Sequence, residues 1–148
     1  MDEKRFKEVI QFAIDKEIKA YNVYTSASRV TKYSGAKDLF LELAKEEEGH
    51  RKLLEKLDME KVAKARIETI PNLKISDYMA EVEFRPDMPY ADVLRMAMKM
   101  EEHSLKLYTD MKASAKDENL RKLFTFLANE EARHKFRLEK IYDDEILK

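Results

Sequence analysis

The stretch LFLELAKEEEGHRKLL, residues 39–54, decides the fold because it returns 84 residues later as LFTFLANEEARHKFRL, residues 123–138. The two copies align without a gap and share several apolar residues and one Glu-x-x-His pair. Apolar residues at intervals of three and four are typical of an amphipathic helix, so each copy predicts a helix with one buried face. A Glu and a His three residues apart lie on the same side of such a helix.

The same offset relates the segments that precede these two stretches. It aligns EIKAYNVY, residues 17–24, with EEHSLKLY, residues 101–108, so that both segments begin with Glu and end with Tyr. Core packing alone does not require a buried Glu, His and Tyr at matched positions. The chain therefore repeats one helical hairpin, and the repeat preserves residues that suit chemistry.

Helical apolar spacing predicts four helices with one long connection in the middle. The connection runs from about Asp58 to Pro89 and holds all three prolines of the chain, and its Ser76–Phe84 portion is expected to form a short helix. The helices are expected at about Glu3–Val30, after a polar joint at Tyr33–Gly35, at about Pro89–Ala113, and from a cap at Asp117 to about Ile146. We predict an all-α fold in which residues 1–148 form a single domain.

Composition excludes several classes of function. The 148 residues carry a formal net charge of -1, which provides no footprint for nucleic acid. No apolar run approaches the roughly 18 residues that span a bilayer, so we expect a cytoplasmic protein that does not bind a membrane. Cysteine is absent from the sequence, which excludes disulfides, thiolate zinc sites and iron–sulfur clusters. Any metal must be held by His, Asp or Glu.

The repeated acids and histidines lie inside the apolar stripes of their helices, and we expect them to face the core. They are Glu17, Glu47, His50, Glu101, Glu131 and His134. Four buried carboxylates are costly as bare anions, whereas two divalent cations would cancel their charge. Zinc prefers fewer, tetrahedral ligands, and a mixed set of imidazoles and carboxylates suits iron or manganese. We expect a carboxylate-bridged centre of two Fe ions, for which Mn or Zn could substitute.

These motifs resemble the rubrerythrin branch of the ferritin-like superfamily. Ferritin-like di-iron proteins take one Glu from each of two helices and a Glu-x-x-His from each of the other two. The resemblance covers all four predicted helices and implies a ferritin-like four-helix bundle made of two repeated hairpins with one long crossover connection.

The resemblance also implies a role for each residue of the centre. It makes Glu47 and Glu131 bridging ligands, Glu17 and Glu101 terminal ligands, His50 and His134 ligands of one iron each, and Tyr24 and Tyr108 hydrogen-bond donors to the ligand carboxylates. The implied reaction is reduction of H2O2 or O2 at the di-iron centre, and association into a homodimer is expected.

Two departures from the family bear on this reaction. The chain lacks the cysteine-ligated rubredoxin domain, so electrons are expected from an external electron-transfer protein. Met98 and Ser104 stand one turn from Glu101, where the family has an extra carboxylate. A ferroxidase or iron-handling role is the alternative within the same chemistry. A metal-free helical interaction module is the alternative from another class.

Some neighbouring residues need their own interpretation. His103 is two residues from Glu101, about 200° around the helix, and is expected at the surface. The flanking acids sit off the inward stripe, where charges are usually solvated, although one of them could serve as a substitute ligand; they are Glu46, Glu48, Glu102 and Glu130.

Overall fold

A computed structural model describes residues 3–57, 75–79 and 83–147. It contains the helices α1 (Glu3–Val30), α2 (Ser34–Glu55), α3 (Tyr90–Ser114) and α4 (Glu118–Glu145), with a short 3₁₀ helix at Ile75–Tyr78 between α2 and α3. The predicted all-α, four-helix fold is confirmed. Across the described residues, no helix has the length and hydropathy to cross a bilayer.

The start of α4 follows the ordinary rule for helix capping. The side chain of Asp117 accepts a hydrogen bond from the backbone N–H of Leu120 at 3.0 Å and so caps α4 as predicted. The joint before α2 lies two residues earlier than predicted, because Ser34 and Gly35 already belong to the first turn of that helix. The predicted position of the joint, Tyr33–Gly35, is therefore wrong, and the helices are joined by residues 31–33.

The short helix predicted at Ser76–Phe84 is wrong in length. A single 3₁₀ turn ends at Tyr78, and residues 83–85 have no regular structure. Pro86 disfavours helical dihedrals at the residue before it, which opposes a helix running up to this point. The rest of the predicted connection, at 58–74 and 80–82, lies outside the described residues.

The two hairpins face each other as antiparallel copies. α1 packs mainly on α2, and α3 packs mainly on α4. Across the middle, Tyr24 of α1 reaches Glu101 of α3, while Tyr108 of α3 reaches Glu17 of α1. This crossed pattern requires α1 and α3 to run in opposite directions, as an approximate twofold relation between the repeats demands.

The apolar core is divided into two clusters at opposite ends of the bundle. One contains Phe6, Tyr78 and Phe124, and the other contains Phe40, Leu94 and Leu138. Burial of each large apolar side chain contributes about 1.5–3 kcal/mol. The two clusters form rigid walls on either side of the layer that holds the repeated acids and histidines.

Tyr78 attaches the crossover to the bundle. Its backbone carbonyl accepts a hydrogen bond from Lys16 Nζ of α1 at 2.6 Å. Its hydroxyl donates to Asp110 Oδ2 of α3 at 2.8 Å, and the Lys106 ammonium lies 5.6 Å from its ring centroid. The 3₁₀ turn is thereby held against both α1 and α3.

The Tyr78→Phe substitution is expected to lower the free energy of unfolding by about 1 kcal/mol, because it removes the hydrogen bond to Asp110 and leaves the ring in place. Urea denaturation measures the change. Tyr33→Phe is the matched control, since Tyr33 is 54% exposed and its substitution should stay within about 0.5 kcal/mol of the wild type. Equal losses in the two variants would contradict this attachment.

Candidate metal centre

The bundle brings all six repeated acids and histidines together in its middle layer. Each is at most 3% exposed, and every one of the four α-helices contributes at least one of them. The inward direction that their spacing predicts is therefore the observed one. They are Glu17 on α1, Glu47 and His50 on α2, Glu101 on α3, and Glu131 and His134 on α4.

The six residues form two overlapping groups of potential ligands. One group is Glu17, Glu47, His50 and Glu131, and the other is Glu47, Glu101, Glu131 and His134. Within each group the ligand atoms lie within 4.8 Å of one another. Only Glu47 and Glu131 belong to both groups. Two adjacent cation positions that share two carboxylates are the arrangement that this geometry fits.

The two histidines occupy equivalent places in the two groups. His50 Nδ1 lies 2.9 Å from Glu131 Oε1, and His134 Nδ1 lies 2.9 Å from Glu47 Oε1. The imidazole rings are nearly parallel, with an interplanar angle of 13° and centroids 5.6 Å apart. In both rings Nδ1 is the atom that faces the carboxylates.

Seven buried atoms of this cluster have no hydrogen-bond partner of good geometry among the described residues. They are Oε2 of Glu17, Oε1 of Glu47, Oε2 of Glu101, both carboxylate oxygens of Glu131, and Nδ1 of His50 and His134. Buried polar atoms normally have partners. Carboxylate oxygens and imidazole nitrogens together are donors that suit iron or manganese, so the residues present fit a pair of such cations.

Two buried tyrosines each donate a hydrogen bond to an acid of the opposite hairpin, and in both cases this acid belongs to only one of the two ligand groups. The Tyr108 hydroxyl donates to Glu17 Oε1 at 2.6 Å, and the Tyr24 hydroxyl donates to Glu101 Oε1. Burial, together with the adjacent acids, raises the pKa of both tyrosines, so they are neutral donors at neutral pH. Each leaves the second oxygen, Oε2, of its acid without a partner and available to the cluster.

Burial and mutual contact shift the pKa values of the cluster when no metal is bound. Burial and then the charges of neighbouring acids raise the pKa of Glu47 and Glu131 well above the usual range. Burial disfavours the charged form of His50 and would lower its pKa. The carboxylates of Glu131 and Glu17 outweigh this effect and raise the pKa of His50 to about 10. The pKa of His134 is also raised, because Glu101 and Glu46 outweigh its burial.

Glu101 behaves in the opposite way. Its burial alone would raise its pKa, but Glu131, His134 and Tyr24 together lower the pKa of Glu101 below its usual value. In the metal-free cluster the raised pKa values thus favour the protonated forms of Glu47, Glu131 and the two histidines, whereas Glu101 favours its anion. Cations that enter must displace these protons, because metal ligands bind in their deprotonated forms.

The flanking acids stay outside both ligand groups. Glu48 pairs with Arg51 and Lys52, Glu102 with Lys99, and Glu130 with Arg133. Glu46 instead approaches His134 from outside the cluster, at 2.7 Å from its Nε2. Sequence reasoning missed this contact, because it joins residues of different hairpins and no local spacing signals it.

His103 is not the surface residue that the sequence predicts. It is partly buried, and the prediction is wrong because the buried face of α3 is wide. That face extends to Met96 and Leu107, which flank His103 on the helix surface. His103 belongs to neither ligand group. Met98 is half-buried and Ser104 buried, so this part of α3 adds no carboxylate to the centre.

A cleft of about 220 Å³ lies beside α1 and α2, and its lining includes one residue of the cluster, Glu17. The half-exposed Ile18 and Tyr21 also line it. The remaining lining residues are Asn22, Glu48 and Arg51. A molecule of two or three heavy atoms has room in such a cleft.

A four-helix bundle with a central Glu and His cluster, contributed by all four helices, is the architecture of ferritin-like di-iron-carboxylate proteins. The rubrerythrin family model matches residues 8–142, and the chain belongs to the rubrerythrin family. The resemblance stated from the sequence motifs is thereby confirmed.

Solved structures support the same fold. A hypothetical protein from Pyrococcus furiosus has 25% sequence identity and a TM-score of 0.72, over 97% of this chain and 94% of that one. A structure described as a ferritin-like diiron-carboxylate protein from Thermotoga maritima has 21% identity and a TM-score of 0.70, over 95% of this chain and 94% of that one. A search of curated proteins finds no match.

Proposed function

We propose that this protein is a di-iron oxidoreductase of the rubrerythrin type that reduces H2O2, with O2 as the alternative oxidant. The observation that carries the proposal is the pair of overlapping Glu and His groups sharing Glu47 and Glu131. Membership of the rubrerythrin family supports iron as the metal. The donor set would also accept Mn, and Zn less well.

Some residues of the cluster would bind both iron ions, and others would bind one. Glu47 and Glu131 would serve both positions, while Glu17 with His50 and Glu101 with His134 would each serve one. Bound as Fe(II), the pair supplies the two electrons that, with two protons, convert one H2O2 into two molecules of water. Tyr24 and Tyr108 would hold the carboxylates of Glu101 and Glu17 in position through their hydrogen bonds.

The cleft beside Glu17 would admit the oxidant. Its volume of about 220 Å³ suits a small molecule, and the apolar walls above and below the cluster exclude bulk water. A dry site strengthens each ligand contact, because charges interact more strongly at low dielectric. This access route favours a small oxidant over a bulky organic substrate.

Electrons would come from a separate protein. The sequence contains no cysteine, so it has no ligands for a second, thiolate-bound iron centre of its own. An external electron-transfer protein is therefore part of the proposal. A homodimer is also proposed, and light scattering of the purified protein would give its molar mass.

The reaction of the Fe(II)-loaded protein with the two oxidants tests the proposal. In stopped-flow absorbance measurements, oxidation by H2O2 is expected to be at least about tenfold faster than oxidation by O2, a difference of about 1.4 kcal/mol in activation free energy. Faster reaction with O2, followed by accumulation of iron beyond the two sites, would support a ferroxidase instead. Protein from iron-replete cells that contains no metal would support the interaction module.

A further inference from the structure

The carboxylate of Glu46 reaches across the bundle from α2 to the outer side of His134 on α4. Its Oε2 lies 2.7 Å from His134 Nε2, and the His134 side chain is fully buried. The opposite nitrogen of the same ring, Nδ1, faces Glu47 and Glu101. The ring is therefore held at both nitrogens, one toward the cluster and one away from it.

The equivalent contact in the other direction, from Glu130 of α4 to His50 of α2, is not formed. Glu130 occupies the position equivalent to Glu46, but it pairs with Arg133 of its own helix. Among the described residues, no carboxylate lies within ion-pair distance of His50 Nε2. The His50 ring instead stands edge-on to Phe126, with centroids 6.1 Å apart. The two histidines are equivalent on the inner side and different on the outer side.

Two arginines of α4 hold Glu46 in place. Arg133 Nη2 lies 3.6 Å from Glu46 Oε1, and Arg137 Nη1 lies 3.8 Å from Glu46 Oε2. Arg137 is itself held by Glu42 at 2.8 Å. The Glu46 side chain is only 27% exposed, so it is more restrained than an ordinary surface acid.

A carboxylate on the far nitrogen changes how a histidine binds metal. When Nε2–H donates to Glu46, the neutral ring carries its proton on Nε2 and presents the Nδ1 lone pair to the cluster. Such a partner orients the ring and increases its basicity, and its loss typically weakens metal binding about 10- to 100-fold. His50 has no such partner among the described residues.

We propose that Glu46 is a positioning residue for His134 and makes the two metal positions unequal, so that the position served by His134 binds its ion more tightly. The inference rests on the proposed function, because it requires that the cluster binds metal. It assigns to one flanking acid a role outside the ligand set, in place of the substitute-ligand role considered from sequence.

Co²⁺ titration of the metal-free protein, followed by visible absorbance, tests this inference. We expect two binding steps in the wild type. Glu46→Ala should weaken the tighter step about 10- to 100-fold, and Glu46→Gln, which keeps an acceptor oxygen, should restore part of the loss. Glu102→Ala is the control, because Glu102 is a flanking acid that pairs with Lys99 on the surface of α3, and it should leave both steps unchanged.

A second measurement separates positioning from a general loss of stability. In the ¹H NMR spectrum of the Co²⁺-loaded protein, the shifted ring N–H signal of His134 should exchange slowly with solvent in the wild type. In Glu46→Ala it should exchange faster, while the signal of His50 is unaffected. A variant that is only less stable would change both signals together.

The outcomes distinguish this inference from the function on which it rests. Equal effects of Glu46→Ala and Glu102→Ala, or no effect of either, would overturn the positioning role and leave the metal centre standing. Failure of the wild type to bind Co²⁺ would overturn the proposed function, and this inference with it.

Discussion

Glu131→Ala is expected to abolish binding of both metal ions, whereas Glu17→Gln is expected to remove only one. Glu131 belongs to both ligand groups, and Glu17 belongs to one. Loss of a residue that hydrogen-bonds to a metal ligand weakens metal binding roughly 10- to 100-fold. Loss of a ligand that both ions share should weaken it more. Elemental analysis after Fe(II) loading should fall from about two ions per chain to near zero in Glu131→Ala.

Gln is chosen at position 17 because it removes the charge of the ligand without removing the hydrogen-bond partner of Tyr108. An amide oxygen can still accept the hydrogen bond from the Tyr108 hydroxyl, so the buried tyrosine keeps its partner. Glu139→Ala is a control on the same helix as Glu131, because Glu139 pairs with Lys135 at the surface. Retention of one ion by Glu131→Ala would mean that this carboxylate is not shared.

Removal of the metal is expected to make the stability of the protein fall as the pH rises, a decline that the metal-loaded protein does not share. In the metal-free protein the pKa of folded His50 is about 10, above its ordinary value near 6.5. Its stabilising contribution is therefore complete below about pH 6.5 and is lost as the pH rises to about 10. The raised pKa values of Glu47 and Glu131 act in the same direction.

Glu101 opposes this trend. Its lowered pKa contributes stability above the ordinary carboxyl range, and that contribution is lost as the pH falls. The melting temperature of the metal-free protein should therefore decline between about pH 6.5 and 10. The size of the decline should correspond to a few kcal/mol, since one pKa unit is worth about 1.4 kcal/mol.

The metal-loaded protein should lack this decline over the same range. Cations compete with protons for the cluster, so their binding strengthens as the pH rises and offsets the loss of stability of the metal-free protein. At a free metal concentration about 1,000 times the dissociation constant, each ion adds about 4.1 kcal/mol of stability. Calorimetry with and without a chelator, at pH 6.5, 8 and 9.5, measures both curves. A melting temperature of the metal-free protein that rises with pH would contradict the protonated cluster.

The inner side of the centre could be predicted from sequence because its information is local. The Glu-x-x-His spacing places Glu47 and His50 on one helix face, and the repeat supplies Glu131 and His134 in the same relation. The clustering of these residues follows once the hairpins face each other. Their role as metal ligands stays a prediction.

The outer side of the centre could not be predicted in the same way. Glu46 and His134 are 88 residues apart, and their contact depends on how the hairpins are rotated against each other. His103 was misplaced for a related reason, since helical spacing gives the direction of a side chain but not the width of the face that neighbours cover. The burial of residues at the margins of a helix face therefore depends on tertiary packing.

The crossed tyrosines make each hairpin depend on the other. Each hairpin supplies the hydroxyl that holds the other hairpin's acid, so one hairpin alone can build only half of the centre. A chain of half this length would need a second copy of itself to complete the centre. Two identical copies related by symmetry would give Glu46 and Glu130 the same surroundings, so their different partners require two halves of different sequence.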